Sequence, residues 1–187
     1  MTGHHVTDSQ NEPRAVRTNP IPDGFCNIVR QTSLVRIKQH CLYEPIEIYE
    51  LENKNNLVFG YWMGLIMVGN ASVRILFKAH YNNDELRVIA SEALNSSKAR
   101  PDDSSVADFM REYCNLMGGA IKATLEAAGL NTGVSLPLVT RGFDEVFSNQ
   151  SVSVNFYEDI WQLVCGDGRI TCALQMDVMN TEPHEII

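Results

Sequence analysis

Apolar side chains recur along the chain at three- and four-residue intervals in some stretches and at two-residue intervals in others, the periods of helix faces and half-buried strands. Phe25, Ile28, Val29, Thr32, Val35 and Ile37 predict a first helix over residues 25–41, ended by the Tyr43-Glu44-Pro45 break. Ile46, Ile48 and Leu51, set against Glu47 and Glu50, predict a short strand before the turn-rich stretch 52–56. Residues 57–68 are apolar on both faces, as a central, covered strand requires. Gly69-Asn70 reads as the hairpin turn into a second strand, with Val73, Ile75, Phe77 and Ala79 inward and Ser72, Arg74 and Lys78 turned to water or a partner. A second helix opens at Asn83-Asp84 and buries Leu86, Ile89, Ala90 and Leu94.

The longest periodic stretch follows. At about 100° per residue, Val106, Met110, Tyr113, Met117, Ala120, Thr124 and Ala128 fall on one side of a helix that Gly129 should end as its C-cap. Residues 134–140 then predict a strand, and Pro137 within it belongs at a sheet edge or a bulge because proline has no N–H to donate. Val152, Val154 and Phe156 alternate on even numbers and Trp161, Leu163 and Cys165 on odd ones, which implies a bulge near Glu158-Asp159. A turn at Asp167-Gly168 leads into a last strand with Ile170, Cys172, Leu174, Met176 and Val178 on one face. The expected organisation is one α+β domain over residues 24–179, with helices packed on a largely antiparallel sheet, between tails at 1–23 and 180–187.

Composition narrows the partners. A net charge of −8 without a Lys/Arg cluster argues against nucleic acid, and 44% hydrophobic with 20% charged residues is ordinary for a globular protein. The longest apolar run is too short to span a membrane and no signal-like segment leads the chain, so a cytoplasmic protein without membrane insertion is expected. Cys26, Cys41, Cys114, Cys165 and Cys172 form no C-x-x-C pair and read as small buried hydrophobes, while the histidines lack metal-ligand spacing.

The polar side of the long helix carries the candidate chemistry. Asp108, Glu112, Asn115, Gly119, Lys122 and Glu126 form one narrow stripe. Asp108 and Glu112 are like charges four residues apart, which costs a few tenths of a kcal/mol, and Gly118 and Gly119 each cost about 1 kcal/mol relative to alanine inside a helix. Close approach of another molecule beside Asn115 would account for the glycines; so would a tight helix packing contact. Asp108 could equally close the helix start with Ser105 in a capping box.

Asp108-x3-Glu112-x2-Asn115 followed, after twenty-one residues, by Pro137 resembles the signature of the CheC/CheX/FliY family of chemotaxis phosphatases, in which a small pair after the Asn is also typical. Glu92 and Asn95 repeat only the E-x-x-N fragment, with Val88 where the acid should stand. The resemblance therefore implies one site per chain, as in the CheX branch. It implies a phosphatase acting on the phospho-aspartate of a CheY-like response-regulator receiver, with Asn115 aligning the attacking water and Glu112 pairing with the receiver's lysine. Asp108, Gly118, Gly119 and Pro137 would support the site. No cofactor of its own is implied, the Mg²⁺ being supplied by the receiver, and a homodimer is. The alternative is a non-catalytic module of the same fold that docks on a receiver or a flagellar-switch component.

Overall fold

The computed structural model describes residues 21–39, 46–50, 60–93, 101–141 and 155–179. The Tyr43-Glu44-Pro45 break, the 52–56 turn, Leu94, Asn95, Val152, Val154 and nearly all of both expected tails lie outside these residues. The elements are α1 (Phe25–Lys38), β1 (Ile46–Glu50), β2 (Trp62–Gly69), β3 (Val73–Tyr81), α2 (Asn83–Ala93), α3 (Asp103–Ala127), β4 (Gly133–Val134), β5 (Leu138–Arg141), β6 (Asn155–Cys165) and β7 (Gly168–Val178). Every strand pairing is antiparallel, in the order β1-β6-β7-β3-β2, and β4 and β5 lie one after the other along the outer edge of β2. The α+β architecture expected from the sequence is the one found. No helix among the described residues is long and apolar enough to cross a membrane.

The three helices pack into one core with one face of the sheet. At its centre Phe77 of β3 meets Tyr113 of α3 edge-on at 6.0 Å and lies 6.1 Å from Trp161 of β6. The Trp161 indole N–H donates to Ser33 Oγ at 2.9 Å, so the polar atom that accompanies this large apolar surface is satisfied inside the core. Ser33 also sets the face of α1. Phe25, Val29, Ser33 and Ile37 are buried at strict four-residue spacing, whereas Ile28 and Val35, expected inward, are exposed. Ile21, within the expected N-terminal tail, is buried in this core.

Two strand expectations fail for identifiable reasons. The β6–β7 register runs unbroken from Asn155↔Val178 to Cys165↔Gly168, so no bulge occurs at Glu158-Asp159. Asp159 shares the core-facing phase with Trp161, Leu163 and Cys165, and Arg30 of α1 pairs with it through Nε at 2.7 Å and through Nη2. A charged residue on the inward face hid the continuity of the pattern. Phe156 points to the other side and is exposed. Lys78, expected to face water or a partner, is only 3% exposed, and Leu76, two residues before it on the same face of β3, is buried with Met63 and Leu65 in a small second cluster. Both sheet faces therefore carry buried residues at β2 and β3.

Two turns sit beside their expected places. Asn70 pairs with Val73 (Asn70 N to Val73 O, 2.8 Å), so the loop is Ala71-Ser72, and the Asn70 side chain holds it by accepting from the Ser72 and Val73 N–H groups. The β6–β7 loop is Gly166-Asp167, with Gly166 at φ 56, where a residue without Cβ is favoured.

Burial, and then the Lys78 ammonium, lower the His80 pKa from 6.5 to about 4. Above pH 6.5 the imidazole is neutral in folded and unfolded chains alike, and it leaves stability unchanged. As the pH falls from 6.5 towards 4, the unfolded chain takes up a proton that the folded chain refuses, so stability declines. Urea unfolding of wild type and His80→Asn across this window should show the variant losing less, by up to about 3 kcal/mol at the acid end. Parallel curves would remove the histidine from the acid response.

Candidate functional site

Helix α3 starts one turn earlier than a Ser105–Asp108 capping box would have it. Asp102 is the N-cap, and its side chain accepts from Ser105 N at 2.8 Å. Asp108 is left in the second turn without a capping role and forms an ion pair with Arg111. The C-terminus closes in a Schellman arrangement: Gly129 takes φ 85, its N–H donates to Glu126 O, and Leu130 N–H donates to Leu125 O. Gly129 thus serves as expected.

Between these ends the helix is held very close to β2. A Cβ on Gly64 would stand 2.6 Å from Met110 Cγ and 2.9 Å from Cys114 Sγ, and one on Gly118 would stand 2.5 Å from Ile66 Cδ1. The buried face is Val106, Phe109, Met110, Tyr113, Cys114, Met117, Gly118, Ile121 and Leu125. In the last turns it has rotated away from the expected Ala120, Thr124 and Ala128, which are half-buried or exposed, because Ile121 and Leu125 offer more apolar surface to the core. Cys114 is fully enclosed, and burial, with a smaller contribution from Cys172, drives its thiol pKa well up. That is the opposite of what a nucleophile needs.

The seating turns the polar stripe outward. Asp108, Glu112, Asn115 and Gly119 are all exposed. Glu112 and Asn115 are three residues apart, hence neighbours on the helix surface, and neither side chain is bonded to another described residue. Lys122 is tied to Glu126 at 3.2 Å one turn further on. The glycine pair divides its work. Gly118 is a packing contact beneath Val134 and Ile66, whereas a Cβ at Gly119 would meet nothing within 4 Å. Gly119 is the member of the pair that leaves open space beside the amide.

Pro137 sits in a bulge on the sheet edge. β4 pairs Val134 with Val68 and β5 pairs Leu138 with Leu65, so Ser135, Leu136 and Pro137 face only Ile66 and Met67. Ser135 bonds both backbone groups of Met67, through its N–H and its Oγ, which places the extra residue at Leu136-Pro137 opposite Ile66. Since Ile66 lies under Gly118, the bulge is level with the middle of α3. It leaves Leu136 83% exposed. Arg111 and Leu136 escape a signature-based reading; Arg111 was findable as the cation three residues beyond Asp108, Leu136 only from the register shift.

The sequence matches no protein-family model, and no curated protein is detectably similar to it. Solved structures are similar. The chemotaxis protein CheX from Vibrio vulnificus superposes with a TM-score of 0.66 at 17% identity, over 82% of this chain and 99% of that one. A chemotactic CheC-like protein from Shewanella oneidensis gives 0.62 at 18% identity, over 82% and 98%. The CheX of a CheX–CheY–BeF3–Mg²⁺ complex from Borrelia burgdorferi gives 0.65 at 18%, over 83% and 98%. The chain therefore has the fold of the solved CheX and CheC-like chemotaxis proteins. Among the described residues that fold is three helices on one antiparallel sheet, and α3 carries Asp108, Glu112 and Asn115.

The two glycines should respond in opposite directions. Gly119→Ala, in open space within a helix, should raise stability by about 0.5–1 kcal/mol. Gly118→Leu, forced against Ile66 and Val134, should lower it by about 1–3 kcal/mol. Chemical denaturation of both variants checks this, and shifts of the same sign would contradict the division of roles.

Proposed function

We propose that this chain is a phosphatase of the CheX type, acting on the phospho-aspartate of a CheY-like receiver domain. The observation that carries the reading is the pair Glu112 and Asn115: exposed, adjacent, bonded to no described residue, and fixed on a helix whose packing against β2 leaves little freedom. A structural surface would not need an acid and an amide left open at the spacing of the signature. The Borrelia relative of the same fold has been solved together with CheY, BeF3 and Mg²⁺, which supports a receiver as the partner.

The chemistry asked of the chain is small. The receiver brings the phosphoryl group on its own aspartate, together with Mg²⁺ and a lysine. Water attacks phosphorus, the bond from phosphorus to the aspartyl oxygen breaks, and inorganic phosphate leaves with the carboxylate restored. The carboxamide of Asn115 can accept a hydrogen bond from that water and hold it in line with the breaking bond, without gaining or losing a proton. Glu112, one helical turn away, is placed to take the receiver's lysine and fix the pose. Docking without turnover is the other reading of the same surface, and phosphate release decides between them. The resemblance also carries a paired chain, which a light-scattering mass of twice the chain would support.

Wild-type protein mixed with a phosphorylated, Mg²⁺-loaded CheY receiver should speed phosphate release, and Asn115→Ala should lower kcat by about a hundredfold while the thermal midpoint stays unchanged. Binding of the receiver with no release above its own rate would contradict the phosphatase reading in favour of docking.

A further inference from the structure

The Asp108–Arg111 ion pair lies on the same exposed ridge, with side chains 70% and 47% exposed. Pairs this open to solvent add at most about 1 kcal/mol to stability, so its place on the ridge matters more than its strength. Side chains on a helix lean back toward its N-terminus. The Asn115 carboxamide therefore lies over the preceding turn, where its neighbours three and four residues back are Glu112 and Arg111. Glu112 and Arg111 thus flank Asn115 in backbone position, and the Arg111 guanidinium, held by Asp108, lies a further turn toward the helix start.

Arg111 Nη1 donates to Asp108 Oδ1, and its other donors are bonded to no described residue. A long side chain that would otherwise sample many rotamers is tethered at one nitrogen, with no further bond to a described residue. Resting on the reading above, we propose that Asp108 is a positioning residue for Arg111, and that Arg111 takes a carboxylate on the rim of the receiver's phosphorylation pocket while Glu112 takes its lysine.

Such a pocket must be acidic because it holds Mg²⁺ through oxygen ligands. A chain of net charge −8 meets an acidic pocket at an electrostatic disadvantage, and a cation beside Asn115 offsets it where the two surfaces touch. The planar fork of a guanidinium matches a carboxylate better than an ammonium does. Lying a turn from the amide's tip, Arg111 contributes to recognition and leaves the water to Asn115. Asp108 gains a role that capping no longer supplies, and its like charge four residues before Glu112 is neutralised by the residue it holds.

The test is steady-state phosphate release from a CheY receiver phosphorylated with acetyl phosphate in Mg²⁺. Arg111→Ala should raise KM about tenfold and leave kcat within about twofold, with Arg111→Lys recovering part of the loss. Added salt should raise the wild-type KM more steeply than that of Arg111→Ala. Asp108→Asn should raise KM about threefold alone and add nothing in the double variant D108N/R111A, the signature of residues acting as one unit. An unchanged KM for Arg111→Ala, in a preparation where Asn115→Ala abolishes release, overturns this proposal alone. Unimpaired release by Asn115→Ala overturns the phosphatase reading and this proposal with it. Equal KM increases for the Lys and Ala variants with a lowered thermal midpoint assign Arg111 a structural role and also overturn it.

Discussion

The distance between α3 and β2 is the constraint on which the rest depends. At Gly64 and Gly118 the two elements approach so closely that a single added carbon on either would collide with its neighbour. That contact fixes the rotation of α3 about its own axis. Met110, Cys114 and Gly118 turn down to the sheet, and Asp108, Glu112 and Asn115 have no direction left but outward. The aromatic knot of Phe77, Tyr113 and Trp161, closed by Ser33, holds the opposite flank of the helix and ties α1 into the same rigid body. A close-packed interior transmits small shifts rather than absorbing them, so the pose of a surface amide is set by atoms buried beneath it.

This arrangement suits the proposed function, in which the receiver supplies the metal and the leaving group. What remains for the chain is orientation, and orientation is worth most when the positioning groups stand on a rigid element and need no rearrangement to act. A helix twenty-five residues long, capped by Asp102 at one end and closed by the Gly129 Schellman motif at the other, is such an element. The bulge at Pro137 contributes at the border. By interrupting the edge strand it breaks the regular ladder level with the middle of α3 and leaves Leu136 exposed.

Much of the fold was legible because its strongest signals are local. The helix and strand periods, Gly129 as the helix stop and Pro137 at an edge each follow from what one residue type can and cannot do with its own backbone. The failures arise where a distant partner changes the meaning of a residue. Asp159 reads as a break in an apolar strand until Arg30, far away in sequence, is seen to pair with it. Ser33 carries no apolar signal in the sequence, and its contact with the Trp161 indole accompanies a buried face of α1 other than the expected one. At the site, the exposure of Glu112 and Asn115 followed from helical angles alone. The separate fates of Gly118 and Gly119 did not, because only the neighbouring strand distinguishes a packed glycine from an open one.

The central claim is that the outward side of α3 is the surface this chain offers to an activated receiver. Amide NMR of the labelled protein, titrated with a CheY receiver in Mg²⁺ and beryllofluoride, tests it without relying on turnover. The account predicts shifts or broadening concentrated between Asp108 and Gly119, including the side-chain amide of Asn115, and much weaker changes when beryllofluoride is withheld. Perturbations centred on another surface with α3 silent, or an equal response from the unactivated receiver, would contradict it.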